Sequence, residues 1–119
     1  MELMSKIIAV DFDGTLCRNK WPKIGEPNGE LIRYLKEEKK QGARLILWTC
    51  REGKQLEEAL EFCKFCNLSF DAVNDNLPDV KKMFDGNPRK VFAHEYIDDR
   101  SNTLFKLPYY KPMKQINYV

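Results

Sequence analysis

The segment Ile7–Thr15, Ile-Ile-Ala-Val-Asp-Phe-Asp-Gly-Thr, joins a short apolar run to two carboxylates that are one residue apart. Its first four residues are typical of a buried strand in a parallel sheet, and its glycine permits a sharp turn. Open α/β sheets place their chemistry at the carboxyl ends of such strands. Because Asp11 and Asp13 would repel each other there, we expect a cation between them. Mg²⁺ is the natural candidate, since it takes hard oxygen ligands and often shares its shell with a substrate phosphate.

A strand that ends in a solvated Asp-Gly turn would also account for this segment, but it predicts none of three features found downstream. A second apolar run, Leu45–Trp48, is followed by Thr49. Lys90 precedes the last predicted strand, which leads into the acid pair Asp98-Asp99. An acid pair, a hydroxyl, a lysine and a second acid pair therefore follow one another, three of them at or near predicted strand ends.

This order of motifs resembles that of the haloacid dehalogenase (HAD) superfamily over about residues 6 to 105. The family's first motif is DxD followed by Gly-Thr or Gly-Val, and residues 11–15 match it. The second motif is a Thr or Ser at a strand end, here Thr49. The third is a lysine, and the fourth is an acidic pair, here Asp98-Asp99. The first motif is specific in its strand context, whereas a lone threonine or lysine is a weak signal.

The resemblance implies a Mg²⁺-dependent phosphatase and a role for each matching residue. Asp11 would attack phosphorus and form an aspartyl-phosphate. Asp13 would protonate the leaving oxygen and then deprotonate the hydrolytic water. The Asp13 backbone carbonyl would bind Mg²⁺ together with Asp11. Thr49 would hold a phosphate oxygen, and a lysine would neutralise the charge on Asp11 and on the phosphoryl group.

Some assignments stay open at this point. Lys90 is the expected third-motif lysine, while Lys81 and Lys82 on the preceding predicted helix are alternatives. Of the acid pair, alignment with family members that have Gly-Asp there makes the second acid, Asp99, the direct metal ligand. Asp98 then acts through water or as a second ligand, although the two roles could be reversed.

Arg51, two residues beyond the second motif, has two interpretations. It could contact the substrate, or it could form a surface ion pair. The sequence favours neither.

Apolar runs and helical patterns alternate along the chain, which predicts an α/β fold with a mainly parallel, Rossmann-like sheet. The resemblance sharpens this prediction to a HAD-like three-layer α/β/α sandwich. No cap domain is expected, because the insertions after the first and third strands are short. We expect one domain over residues 1–119, with the loop 15–27 as a flap and 107–119 as a C-terminal tail. Within the flap, Trp21 could offer an apolar face to a substrate.

Capping residues and periodicity predict the individual elements. Asn28 is expected to cap a helix that runs through Gln41, with Gly42 after its end, and Asn76 is expected to cap a short helix at 77–84. The remaining predicted elements are an irregular connection at 12–27, strands at 44–49 and 70–73, a helix near 53–67, a last strand that runs into Asp98 and a short helix near 101–106.

Composition limits the classes of protein that fit. The chain is 43% hydrophobic and 32% charged, as in an ordinary soluble domain. Twenty basic and eighteen acidic residues leave a net charge of +2, so nucleic acid is not indicated. No apolar run is long enough to span a membrane, and the first residues lack a signal peptide's apolar stretch. We therefore expect a cytoplasmic protein without a membrane partner.

The four cysteines are expected to be reduced in that compartment. Cys63-x-x-Cys66 has the spacing of half a zinc site, but both residues fall within an amphipathic helical pattern. Core packing is therefore favoured over zinc.

Three functions from different classes fit the motifs. The first is a phosphatase acting on a phosphorylated substrate whose identity the motifs do not specify. The second is a phospho-aspartate signalling module of receiver type, which would hold its phosphate rather than turn it over. The third is a catalytically inactive HAD-fold protein that serves as a binding module. Both a monomer and an oligomer are compatible with the sequence.

Overall fold

The fold is built on a parallel β-sheet. The computed structural model describes residues 5–98. In chain order, its elements are β1 (Ile7–Val10), β2 (Cys17–Lys20), β3 (Lys23–Pro27), α1 (Gly29–Lys40), β4 (Arg44–Leu47), α2 (Gly53–Phe65), β5 (Ala72–Val73), α3 (Pro78–Phe84) and β6 (Glu95–Ile97). Four strands form the main sheet in the order β5-β4-β1-β6, and all neighbouring pairs are parallel. The predicted α/β class with a mainly parallel sheet is confirmed.

Strand β1 lies in the middle of this sheet and is buried on both faces. Ile8 and Val10 belong to one apolar cluster, together with residues of α1 and α2. Ile7 and Ala9 belong to a second cluster, which includes Val80 of α3. A strand that packs on both sides has no polar face, and this explains why its sequence is continuously apolar.

Helix α1 begins and ends where its capping residues predict. The Asn28 side chain accepts a hydrogen bond of 3.2 Å from the Leu31 N–H, and this satisfies one of the donors exposed at the helix start. Gly42 follows the helix with a φ of +100°, in the left-handed region that glycine occupies without strain. Local sequence signals were sufficient for this helix.

The prediction of an irregular connection at 12–27 was wrong. Most of this segment, including most of the proposed flap at 15–27, is the antiparallel hairpin of β2 and β3. Its outer residues are largely polar and exposed, so the strands lack the apolar alternation by which a half-buried strand is recognised. Pairing between the two strands, rather than burial, defines them.

The cap predicted for the short helix was also wrong. The N-cap of α3 is Leu77, which makes no side-chain capping bond. The Asn76 side chain instead donates to Asn87 Oδ1 and to the Pro88 carbonyl, and it accepts from the Phe92 N–H at 2.7 Å. Asn76 therefore ties together the chain on either side of α3.

Other bounds differ by a few residues. Strand β4 ends at Leu47 rather than at 49, α2 ends at Phe65 rather than at 67, and β5 contains only Ala72 and Val73. Asp99, the helix predicted near 101–106 and the tail at 107–119 lie outside the described residues. Within residues 5–98, no helix is both long and apolar enough to cross a membrane.

Candidate functional site

The predicted acids and the threonine follow parallel strands, so they lie at the carboxyl edge of the sheet. The Asp11 N–H donates to the Ile97 carbonyl at 2.9 Å, which places Asp11 beside Asp98 across the β1–β6 pair. On the other side, the Trp48 N–H donates to the Val10 carbonyl at 2.9 Å, and Thr49 is the next residue. The parallel register thus brings three separate motifs to one edge.

A tight turn after β1 determines where Asp13 lies. The Phe12 carbonyl accepts from the Thr15 and Leu16 N–H groups at 3.1 and 2.9 Å, and Gly14 adopts a φ of +80°. The Phe12 ring is fully buried and packs edge-on against Phe62 of α2, with ring centres 5.6 Å apart. Because Phe12 anchors the turn in the core, Asp13 is held at the surface of the site, where its side chain is 19% exposed.

The Asp13 carboxylate forms a two-pronged ion pair with Arg51. Arg51 Nε donates to Asp13 Oδ2 and Arg51 Nη2 donates to Asp13 Oδ1, each at 2.8 Å. The guanidinium plane matches the carboxylate in this geometry, which is the strongest form of such a pair. The Arg51 side chain is only 1% exposed, so this ion pair is buried and is not the surface ion pair that the sequence left open.

Arg51 can be buried because all of its side-chain donors are used. Besides the two bonds to Asp13, it donates to the carbonyls of Pro22, Lys23 and Gln55 at 3.3, 3.0 and 3.3 Å. Five bonds meet the five N–H groups of a guanidinium. The hydrogen bond to Asp13 is also the main cause that raises the pKa of Arg51 above its ordinary value. The residue remains charged and joins the site to the β2–β3 hairpin and to α2.

Arg51 also connects the first motif to the second. Its backbone N–H donates to Thr49 Oγ1 at 3.1 Å, while its side chain holds Asp13. The Thr49 N–H in turn donates to Asn74 Oδ1 at 2.7 Å. Thr49 Oγ1 accepts in the bond from Arg51, so its hydroxyl hydrogen is not used there and can be donated to a further acceptor.

Two aromatic rings lie against the guanidinium of Arg51. Its Cζ atom is 5.1 Å from the centre of the Phe12 ring and 4.9 Å from that of Trp21. Both distances are within the range of cation–π attraction. Phe12 belongs to the core, whereas Trp21 is at the tip of the hairpin and is 57% exposed.

Cys17, the first residue of β2, lies close to the carboxylates of Asp13 and Asp11. Burial raises the pKa of its thiol to about 12, and the negative charges of Asp13 and Asp11 act in the same direction. The thiol is therefore protonated at neutral pH, and its role is packing rather than nucleophilic chemistry. Cys63 lies on α2 and is buried in the same apolar cluster as Cys17, and burial raises the pKa of its thiol to about 12 as well.

The candidate lysines have different surroundings. Lys90 is exposed, and its ammonium lies 5.2 Å from the centre of the Tyr96 ring on β6. Lys81 makes a 2.8 Å ion pair with Asp75. Lys82 is exposed on α3. Lys90 therefore approaches the strand that leads to Asp98, whereas Lys81 already has a carboxylate partner.

The residues at the carboxyl edge have the chemistry that Mg²⁺ requires. Asp11 and Asp98 offer carboxylate oxygens, and Asp13 can offer its backbone carbonyl while its side chain binds Arg51; all three donors are hard oxygens. Among residues 5–98, no three acidic, histidine or cysteine side chains gather in a metal-binding group.

Comparison with known proteins identifies a relative. A solved structure of a conserved protein coded by a locus of Bacteroides thetaiotaomicron is 36% identical to this chain, with a TM-score of 0.75. The alignment covers 96% of this chain and 93% of the other. The chain belongs to the same family as this Bacteroides protein. Neither a protein-family model nor a curated protein matches the chain. Membership of this family is thus established by a shared fold and sequence, without a named reaction.

Proposed function

We propose that this protein is a Mg²⁺-dependent phosphomonoesterase of the haloacid dehalogenase type, in which Asp11 carries the phosphoryl group. The observation that carries the proposal is the meeting of separate motifs at one edge of the sheet. Asp11 and Asp98 are neighbours across a strand pair. Arg51 joins Asp13 to Thr49. Packing of helical residues in two clusters, one on each face of the sheet, supports the HAD-like three-layer form of the fold.

The reaction takes place in two displacements at phosphorus. In the first, an Asp11 carboxylate oxygen attacks, the bond between phosphorus and the leaving oxygen breaks, and protonated Asp13 gives its proton to that oxygen. In the second, water attacks the aspartyl-phosphate and gives a proton to Asp13, which releases inorganic phosphate and restores Asp11. The Thr49 hydroxyl holds a phosphate oxygen throughout.

Charge is the main obstacle to this reaction, because nucleophile and phosphate are both anionic. When bound by Asp11, the Asp13 carbonyl and the acids at 98–99, Mg²⁺ supplies positive charge to the phosphoryl oxygens. Lys90 contributes a second positive charge to the same oxygens. Arg51 acts differently, because its five donors are already occupied. It holds Asp13 and Thr49 in position.

The direct test is hydrolysis of p-nitrophenyl phosphate. We expect turnover in Mg²⁺, complete loss in EDTA and recovery when Mg²⁺ is returned. Acid-quenched protein should carry phosphate on Asp11, as located by peptide mass spectrometry. Full activity in metal-free buffer would refute the metal-dependent mechanism, whereas a phosphorylated Asp11 that persists without turnover would favour the receiver-type alternative.

Metal binding can be measured without activity. Calorimetric titration of Mg²⁺ into the wild-type protein should give a binding signal that Asp98→Asn weakens. The matched control is Asp79→Asn, because Asp79 lies in the first turn of α3 and pairs with Arg44. Equal Mg²⁺ affinity in the wild-type protein and the Asp98 variant would exclude Asp98 as a ligand.

A further inference from the structure

Trp21 is an unusual residue for the tip of a hairpin. It lies between β2 and β3, and its backbone N–H donates to Asn19 Oδ1 at 3.1 Å. The residue is 57% exposed, although tryptophan has one of the largest apolar surfaces of any side chain. Single exposed apolar side chains are common on protein surfaces, so the significance of Trp21 depends on the groups that surround its ring.

The ring is exposed, yet it is anchored. Arg51 lies 4.9 Å from the ring centre, and Arg51 also binds the carbonyls of Pro22 and Lys23, the two residues that follow Trp21. The hairpin tip is thereby attached to a guanidinium that is itself buried and fully hydrogen-bonded. An anchored ring loses little conformational freedom when a ligand stacks on it, so less of the binding energy is spent on ordering.

Trp21 is also close to the chemistry. One guanidinium group separates it from Asp13, since Arg51 contacts the Trp21 ring and both Asp13 oxygens. In the proposed function, Asp13 lies beside the phosphoryl group that Asp11 receives. A group attached to that phosphate through its ester oxygen is therefore the part of a substrate that would reach Trp21.

We infer that Trp21 is a stacking platform for a planar aromatic group carried by the phosphate substrate, such as a nucleobase or a phenyl ring. The inference rests on the proposed function and names its substrate class. Stacking on an aromatic side chain needs only a flat π-face, so it selects rings over alkyl or sugar groups without hydrogen bonding to a particular base. Trp48, the other tryptophan of the chain, is 39% exposed and directly precedes Thr49, so both tryptophans border the candidate site.

A binding experiment tests the inference without relying on turnover. The Asp11→Asn, Trp48→Phe double variant prevents hydrolysis and leaves Trp21 as the single tryptophan. In Mg²⁺, adenosine monophosphate and phenyl phosphate should quench its fluorescence and bind about tenfold more tightly than ribose phosphate, which is the nucleotide without its base. The two aromatic ligands distinguish a nucleoside from a simple aryl group as the preferred substrate.

Variants of the ring itself provide the second arm, measured by calorimetry in the Asp11→Asn background. Trp21→Leu should abolish the preference for ring-bearing phosphates and leave the affinity for ribose phosphate within about twofold. Trp21→Phe should retain most of the preference. Phe65→Leu is the matched control, because Phe65 is 88% exposed but lies at the last residue of α2, away from the strand ends that carry the acids.

The outcomes separate this inference from the proposed function. If ribose phosphate binds as tightly as adenosine monophosphate, or if Trp21→Leu keeps the preference, Trp21 is only a cover for Arg51 and the inference is wrong. In that case, Mg²⁺-dependent hydrolysis of ribose phosphate by the wild-type protein would still uphold the proposed function. If the wild-type protein hydrolyses no phosphate ester, the proposed function fails first.

Discussion

At the two edges of the central sheet, the same pair of side chains occurs in different surroundings. Arg44, the first residue of β4, binds both oxygens of Asp79 at 2.9 and 2.8 Å. Arg51, at the opposite edge, binds both oxygens of Asp13 at 2.8 Å. The side chains of the first pair are 28% and 49% exposed, whereas those of the second are 1% and 19% exposed.

The contrast shows that the hydrogen-bond geometry of an ion pair does not by itself determine the role of that pair in the protein. An exposed pair is screened by water and contributes little to stability. Burying an ion pair has a large desolvation cost, which apolar residues of similar volume would avoid. A gain in stability therefore does not by itself explain why a buried pair is present. The buried pair lies where the candidate catalytic residues meet, and we attribute its presence to the positioning of Asp13.

The largest effect is expected at the carboxyl edge itself. Asp11→Asn should lower phosphatase turnover by at least about 10³-fold and eliminate the phosphorylated protein, because an amide cannot serve as the nucleophile. Asp79→Asn, the matched change at the amino edge, should leave turnover within about twofold. Steady-state kinetics and acid-quench mass spectrometry measure both. Comparable losses in the two variants would remove the functional distinction between the edges.

The two arginines should differ in their contribution to stability. Arg51→Met leaves the Asp13 carboxylate and three carbonyls without their donors, and breaking a buried pair in this way costs about 3–5 kcal/mol. Arg44→Met should cost about 1 kcal/mol or less, since water replaces the lost partner. Urea unfolding of both variants gives the two values. Equal costs would mean that burial is not what distinguishes the pairs.

The lysine assignment gives the next largest effect. Lys90→Ala should lower turnover about 10²-fold, comparable to the loss of one preorganised electrostatic donor at a reacting phosphate. Lys81→Ala and Lys82→Ala should be nearly silent, because Lys81 pairs with Asp75 and both lysines lie on α3, outside the β1–β6 strand pair that leads to Asp11 and Asp98. The opposite ranking of the three variants would move the third motif to α3.

The smallest effect concerns pH and the two buried thiols. Burial raises the pKa of Cys17 and Cys63 to about 12 from an ordinary value of 9.0, so the folded protein retains protons that the unfolded chain loses. The contribution of the two protonated thiols to the free energy of unfolding is complete below pH 9 and is lost as the pH rises toward 12. At one pH unit above 9, the loss is about 1 kcal/mol per thiol.

This loss can be measured by urea unfolding between neutral pH and about one unit above pH 9, the ordinary thiol pKa. Cys17→Ala and Cys63→Ala should each flatten the decline, while Cys50→Ala should not, because Cys50 is exposed. In the native protein, iodoacetamide should modify Cys50 well before the buried pair. Rapid modification of Cys63 at neutral pH would contradict its place in the core.

Local rules in the sequence were enough for the strand that carries the acids and for the helix that follows. A continuous apolar run predicts a strand buried on both faces, and β1 is such a strand. Asn28 and Gly42 predict the ends of α1, because capping depends on only the few residues around a helix terminus. Parallel strands bring their carboxyl ends to one edge, so Asp11, Thr49 and Asp98 could be placed together in advance.

Only the tertiary structure determines the partners of Arg51 and Asn76 and the pairing of β2 with β3. Arg51 is 38 residues from Asp13 in the chain, and nothing in its own neighbourhood indicates that it is buried or which acceptors surround it. Asn76 has the local pattern of a cap, but acceptors and donors 11 to 16 residues away bind it instead. Burial and pairing between distant residues arise only when the whole chain packs. The order of the motifs could therefore be predicted from the sequence, whereas the role of the arginine that connects them could not.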